Sequence, residues 1–441
     1  MDLQLSWRRR LFALGLTVTS SLVSVGARAE KVLAHEDNWE VFTDGRVGVF
    51  LSYVNGDGYP RPAPDANGNS HDLQGGGLDA VSEREAVGTS GQATQGKIEN
   101  MRMRSGFISN WVGLGARYKE GDYTYSSYFQ IWAYVESEAR QKNRPNPADV
   151  RQGYAKVEAP WGSVLAGRTR CLFSRGATDI DVNYAHRYGV GFPGGLDSFG
   201  PSSGQIGFGV LGSGFASGVI YATPVLGGFQ ANVGLFDPIR LQNGAVWMRT
   251  KWVRPEAELT FERPIGELGK FALFANGAWQ KLYQADVPQA NTPKDATAAG
   301  VGYGGRLEVG PFRLGVAGHY GVGLGTNYAL EASGATSPSA DLRYSDGYYV
   351  QTKVVAGPVD VFAGGGLVRV FLNDEDKVPD PVTGAFAHSV LKQEIGVNAG
   401  AVWHVKPWFH LDIDYFRAQF DWFLGEKQVV HTVSAGPTLN W

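Results

Sequence analysis

A single cysteine, Cys171, occurs in 441 residues, which excludes an intrachain disulfide and a thiolate metal cluster. Methionine is nearly as scarce, at four. Beyond residue 25 no uninterrupted apolar run reaches the roughly 20 residues that a helix needs to cross a bilayer, and mean hydropathy is −0.19. Helical membrane spans are therefore excluded from the body of the chain. An excess of one charge is also missing: 40 Lys and Arg against 43 Asp and Glu leave a net charge of −3. Nothing in that total provides a footprint for nucleic acid, and no such partner is expected. What the chain does have is 60 glycines and 12% aromatic residues. Glycine is costly inside helices and aromatics suit a pleated, half-buried surface, so the composition favours sheet.

The first residues predict an exported protein. Arg8, Arg9 and Arg10 precede an apolar run from Leu11 to Val25, and Ala27-Arg28-Ala29 follows. These are the charged, apolar and small-residue regions of a secretory signal, expected to be cleaved after residue 29 and to leave 30–441 as one domain.

Two-residue periodicity then recurs along almost the whole chain. Between Asn38 and Tyr53 one face of an extended strand carries Trp39, Val41, Thr43, Val47, Val49, Leu51 and Tyr53. The other carries Glu40, Asp44, Arg46 and Ser52 together with Phe42 and Phe50. Tyr123 to Glu136 alternates in the same way, as do Phe409, Leu411, Ile413 and Tyr415 against His410, Asp412 and Asp414. After Tyr415 the apolar set becomes Phe416, Phe420 and Trp422, which reads as a bulge or as the strand leaving a bilayer.

Connections alternate between short ones, such as Ala159-Pro160-Trp161-Gly162, Gly310-Pro311 and Lys406-Pro407, and long polar ones, such as 55–98, 170–214 and 372–388. Sixteen strands fit between them, at 38–54, 101–118, 122–138, 149–159, 162–169, 215–224, 228–236, 247–264, 269–283, 297–309, 312–324, 346–356, 359–371, 389–405, 408–422 and 428–441. An even strand number with short turns at one end and long loops at the other is the pattern of a transmembrane barrel. In hydrocarbon every backbone N–H and C=O must be paired within the protein, so alternating strands span only as a closed cylinder. The fold expected is all-β, a 16-stranded antiparallel transmembrane β-barrel whose apolar faces meet lipid and whose polar faces line water. Pro437 fits poorly in a closing strand, because it removes one ladder bond.

Three stretches resemble the general trimeric porins of Gram-negative outer membranes: "RSGFISNWVGLGARY" (Arg104 to Tyr118), "RQGYAKVEAPWGSVLAGRTR" (Arg151 to Arg170) and "GVIYATPVLGGFQANVGLF" (Gly218 to Phe236). The aromatic last residue, Trp441, is similar to the family's assembly signal. The resemblance implies an outer-membrane homotrimer, in contact with lipid, lipopolysaccharide and the barrel-assembly machinery. Each barrel would pass small hydrophilic solutes and ions, its channel narrowed by a third loop, 170–214, folded inward. It also implies a basic wall facing loop acids at that constriction. The matching basic residues are Arg46, Arg104 and Arg168, with Arg102 and Arg170 as neighbours; the loop acids are Asp179, Asp181 and Asp197. The chain departs from the family where Phe215 stands in place of an arginine and where "FPGGLD" lacks a glutamate. A thinned acidic wall implies weak anion preference.

Other signals have ordinary readings. "GVGYGG" (Gly300 to Gly305) matches a dinucleotide fingerprint, but strand follows strand there and no helix opens after it. Acids of the first long loop, such as Asp57 and Glu83, could hold a divalent ion or simply be solvated. His319, His404 and His410 fall on separate strands without a serine and acid spaced for a triad, so no enzyme and no cofactor is expected. The alternatives to a general channel are a substrate-specific sugar or anion channel, favoured by inward aromatics such as Phe42, Phe50, Trp132 and Tyr134, and an outer-membrane barrel enzyme, a lipase or protease.

Overall fold

A computed structural model describes residues 30–57, 97–106, 110–133, 148–183, 205–239, 242–243, 246–284, 295–327, 329–330, 342–374, 376–377 and 391–441. The expected leader, most of the first loop, Tyr134 and Asp197 lie outside them. The described strands form one closed antiparallel barrel of sixteen staves. The first stave is Trp39–Gly48 continued by Phe50–Asp57, and the second is Lys97–Arg104 continued by Asn110–Glu120. The third to the seventh are Tyr123–Ala133, Ala148–Ala159, Gly162–Arg170, Phe215–Ala222 and Phe229–Phe236. The eighth to the twelfth are Arg254–Ile265, Gly269–Gln284, Asp295–Val309, Phe312–Val322 and Tyr344–Ala356. Val359–Phe371, Leu391–Lys406, Phe409–Trp422 and Lys427–Asn440 complete the wall.

Closure is made where the last stave meets the first. Val430 to Ala435 pairs with Gly56 to Leu51, and Thr438 to Asn440 pairs with Gly48 to Arg46. Both pairings keep the same register, so the gap between them at Val49 is a break in the ladder and not a bulge. Pro437 lies in that gap. Val49 N donates to Pro437 O at 3.2 Å, and the reciprocal bond is missing because proline has no N–H. Beyond the gap Trp441 is tied to Gly45 by two backbone bonds of 2.8 and 3.0 Å. A Cβ on Gly45 would fall 2.1 Å from the Trp441 ring, so only glycine lets the terminal indole cover this position. One strand was not anticipated from the sequence: Lys31–Glu36 folds back through Asp37 (φ 50) and pairs with Trp39 to Thr43, below the point where the last stave ends.

The alternation read from the sequence is an alternation of surfaces. Val47 and Leu51 are 46% and 45% exposed, while Arg46 and Ser52 between and beside them are fully buried. Along the eighth stave Glu256 and Glu258 are buried, and Leu259 beside them is exposed. Soluble sheets bury their apolar face. Here the apolar face is the outer one, and aromatic side chains gather towards both of its ends: Trp39, Trp161, Phe229, Phe312 and Trp408 at the short turns, Tyr320, Tyr344 and Tyr348 at the long loops. This is the exterior of a transmembrane barrel with its two interfacial girdles. Among the described residues no helix is long and apolar enough to cross a membrane.

The change of apolar set after Tyr415 is the strand leaving the bilayer. Pairing from Phe409 to Asp421 continues without a shift. The outer face turns polar with Arg417, Gln419 and Asp421, and the inner face turns apolar with Phe416, Phe420 and Trp422.

An arginine placed at Val350, exposed midway along the twelfth stave, should destabilise the barrel by about 2–4 kcal/mol. Reversible unfolding from lipid vesicles measures it, and a cost below ~0.5 kcal/mol would show that this face does not meet hydrocarbon.

Candidate functional site

The inner face of staves eight to fifteen carries an unusual density of side chains that serve as anchors. Their partners are two stretches, 171–183 and 205–214, of the connection between the fifth and sixth staves. In the first, Phe173 N donates to Glu256 Oε2 at 2.8 Å, Ser174 N to Asn276 Oδ1 at 3.3 Å and Val182 N to Gln351 Oε1 at 3.2 Å. Arg175, on the short helix Arg175–Asp179, is paired with Glu258. Asn183 Nδ2 and, from the second stretch, Gln205 Nε2 donate to the same acceptor, Asn398 Oδ1, at 3.3 and 3.2 Å. Phe208 then packs edge-on to Phe416 and Phe420, at 5.0 and 5.8 Å between ring centres. Room for this comes from Gly366 and Gly396, where a Cβ would lie 2.2 Å from Phe208 O and 2.7 Å from its ring.

Arg170 ties the two stretches together. Its Nη1 donates to Asp179 Oδ1 at 2.9 Å and its Nη2 to Arg175 O at 3.2 Å and to Thr178, while its Nε reaches Ser213 Oγ at 3.3 Å. The carbonyl of Asp179 accepts from Arg306 Nη1 at 3.1 Å, and Asp181 Oδ1 accepts from Asn183 N at 2.8 Å. Of the eight residues expected at a constriction, Arg170 and Asp179 are thus brought together, and Asp181 caps the backbone of Asn183 in the same stretch.

The others are placed differently. Arg46 is inward and buried, its guanidinium 5.9 Å from the centre of the Trp111 ring. Arg102 and Arg104 are paired in register with the inward positions Ser52 and Phe50; their side chains lie outside the description. Arg168 pairs with Gly153 and Ser217, on the face of exposed Ala166 and Val219. Its Nε donates to Val150 O at 3.1 Å, and it does not meet Arg46.

A cation missed by periodicity stands where Phe215 replaced the expected arginine. Arg151, the extra residue of a bulge opposite Gln130 and Ile131, lies 4.7 Å from the Trp132 ring and 5.4 Å from Phe215. Trp132 stacks on Trp111 at 6.3 Å. Two stacked indoles, Trp111 and Trp132, are therefore flanked on the inner face by the guanidinium groups of Arg46 and Arg151. A bulge shifts phase by one residue, which is why alternation alone hid Arg151. Arg151 is also paired with Asp149 at 2.9 Å, and further along the wall charges again occur as close pairs: Arg254 with Glu256 at 2.7 Å, Lys353 with Asp360 at 3.1 Å, Arg306 with Glu308 at 3.0 Å. Arg343 and Asp376, outside these staves, form a buried pair at 2.6 Å.

Comparison with known proteins gives the class first. No family model and no curated protein matches the sequence. Solved structures do match in shape. The outer membrane channel DcaP of Acinetobacter baumannii superimposes with a TM-score of 0.64 at 13% identity, over 93% of this chain and 99% of that one. An anion-selective porin from Comamonas acidovorans gives 0.56 at 13% identity, over 91% and 100%. OmpF of Salmonella typhi, in complex with daunomycin, gives 0.50 at 10% identity, over 92% and 99%. The fold is that of the outer-membrane β-barrels that cross with sixteen strands. More narrowly, the structures it matches in shape include a channel and a porin.

Burial among Leu172, Ala216, Ile220 and Phe236 pushes the Cys171 thiol up to about 12. The thiol therefore stays protonated through neutral pH. A thiol-reactive disulfide reagent at pH 8 should leave the folded protein unlabelled and label it fully in denaturant; rapid labelling of the folded form would contradict this packing.

Proposed function

We propose that the protein is a passive diffusion channel of the outer membrane for small hydrophilic solutes and ions, non-catalytic and assembled as a homotrimer. The supporting observation is the closed barrel with an apolar exterior and a charged, polar inner wall. Sixteen staves enclose more room than their own side chains fill. Stretches 171–183 and 205–214 bond to inward side chains of staves eight to fifteen, which supports a passage narrowed from that side. The solute path is then the side lined by staves one to four, where Arg46 and Arg151, the second paired with Asp149 at 2.9 Å, favour a weakly basic potential. Asp179, one of the expected loop acids, is paired with Arg170 at 2.9 Å. A low-dielectric wall focuses this field, so anions are weakly preferred. The outer face of the fourth and fifth staves carries Gly153, Ala155, Val164 and Ala166 beside Arg168, and its small residues suit contact with a neighbouring barrel.

A substrate-specific channel is the second reading. It is favoured by the half-exposed Trp111 and Trp132 beside the amides of Gln130 and Gln152, a surface able to take a sugar ring.

Planar-bilayer recording of the purified protein tests the first reading. The expected result is stepwise conductance in groups of three and a small reversal potential of anionic sign in a salt gradient. Arg46→Glu should lower the anion-to-cation permeability ratio several-fold. Absence of conductance, or strong cation preference in the native protein, would overturn it. Block by a sugar at millimolar concentration would move the assignment to the second reading.

A further inference from the structure

His404 and His410 had no role in the readings above. The tight turn at Lys406 and Pro407 brings them together: they are direct partners in the ladder between the fourteenth and fifteenth staves. Residues opposite each other in a ladder share a face. That face is the inner one, since Trp403 and Leu411, their chain neighbours, are exposed on the outside. The two rings stand perpendicular, at 88°, with centres 4.7 Å apart and Nδ1 facing Nδ1 at 2.8 Å. The other nitrogen of His404, Nε2, lies 3.3 Å from Asp360 Oδ2 on the thirteenth stave. A carboxylate there holds the proton on Nε2 and leaves Nδ1 with its lone pair directed at His410. Asp360 is itself buried and fixed by Lys353 Nζ at 3.1 Å.

From this geometry we infer that His404 and His410 form a two-histidine site for a divalent transition-metal ion of the zinc type, on the inner wall near the short-turn end, with Asp360 orienting His404. Zinc–nitrogen bonds of about 2.0–2.1 Å in a tetrahedral site place two ligand nitrogens roughly 3.3 Å apart. Opening the pair from 2.8 Å by roughly half an ångström, with small ring rotations that set the ion to one side of the N–N line and the His410 proton moved to its Nε2, satisfies that geometry. The two Nδ1 atoms face each other across 2.8 Å, so both can reach one ion. The carboxylate–histidine arrangement is the one that raises the basicity of a metal-bound imidazole. Imidazole donors select zinc, nickel and copper, and leave calcium and magnesium to oxygen-rich sites. Among the described residues no group of three His, Cys, Asp or Glu is placed to hold an ion, so water completes the shell and the ion exchanges readily. His404 is 30% exposed, which leaves a path to solvent.

Calorimetric titration of the detergent-folded full chain with zinc chloride tests the site without relying on conductance. The expected result is one zinc bound per chain, competition by nickel and no heat with calcium. His404→Gln and His410→Gln should each abolish saturable binding, and Asp360→Asn should weaken it about tenfold. A heat-shifted band on electrophoresis checks that each variant has formed its barrel. Electron paramagnetic resonance of bound copper(II) should show coupling to two nitrogens in the native chain and to one in His404→Gln. No zinc binding by the native chain, undiminished binding in the folded histidine variants, or an Asp360→Asn affinity equal to the native would overturn the proposal.

Discussion

Backbone hydrogen bonding in a solvent that offers none is the constraint on which everything else in this structure depends. A strand edge left open in hydrocarbon costs several kcal/mol for each unpaired group, so the sheet must close on itself. The seam between the first and last staves is where that requirement is hardest to meet. The chain meets it with an unshifted register across the gap at Val49 and Pro437, and with two backbone bonds that pin Trp441 to Gly45. Once the cylinder is closed, the two-residue period decides the rest. Each stave must offer apolar side chains outward and is free to offer polar ones inward.

The inner wall divides its work around the circumference. From the eighth stave to the fifteenth, Glu256, Asn276, Gln351 and Asn398 bond to backbone or side-chain groups of the 171–183 and 205–214 stretches. Phe416 and Phe420 add an apolar seat for Phe208. Buried polar groups are costly unless paired, and these pairs satisfy wall and connection at once. On the opposite side the wall keeps half-exposed aromatic rings interleaved with guanidinium groups. Charge pairs such as Arg254 with Glu256 and Lys353 with Asp360 mark one side, and guanidinium groups set against aromatic rings mark the other, where Arg151 is also paired with Asp149.

Much of the barrel could be read in the residues because lipid on one face and polar surroundings on the other impose alternation on every stave. The outward set from Trp39 to Tyr53 and the inward position of Arg46 followed from period two alone. What alternation could not show were departures from it. Arg151 sits on a bulge, Lys31–Glu36 adds a pairing arm whose residues are all exposed, and the Phe416 to Trp422 stretch kept its phase while its surroundings changed. Arg168 shows a different limit. Family resemblance named it for the pore, whereas its face-mates Val164 and Ala166 already spoke for the outer surface, where the register places it. The anchors Glu256, Glu258 and Gln351 were visible as inward polar positions, but their partners lie far away in sequence. Contacts of that kind come from closure of the cylinder and leave no local trace.

The most direct test of a cylinder with lipid outside and polar groups inside is a scan of single cysteines from Phe409 to Phe416 in Cys171→Ala protein folded into vesicles. Each site carries a fluorophore read by brominated acyl chains and by an aqueous quencher. The account predicts strict alternation: brominated lipid quenches at Leu411, Ile413 and Tyr415 and spares His410, Asp412 and Asp414. Quenching that is uniform along the stretch, or that repeats every three to four residues, would contradict it.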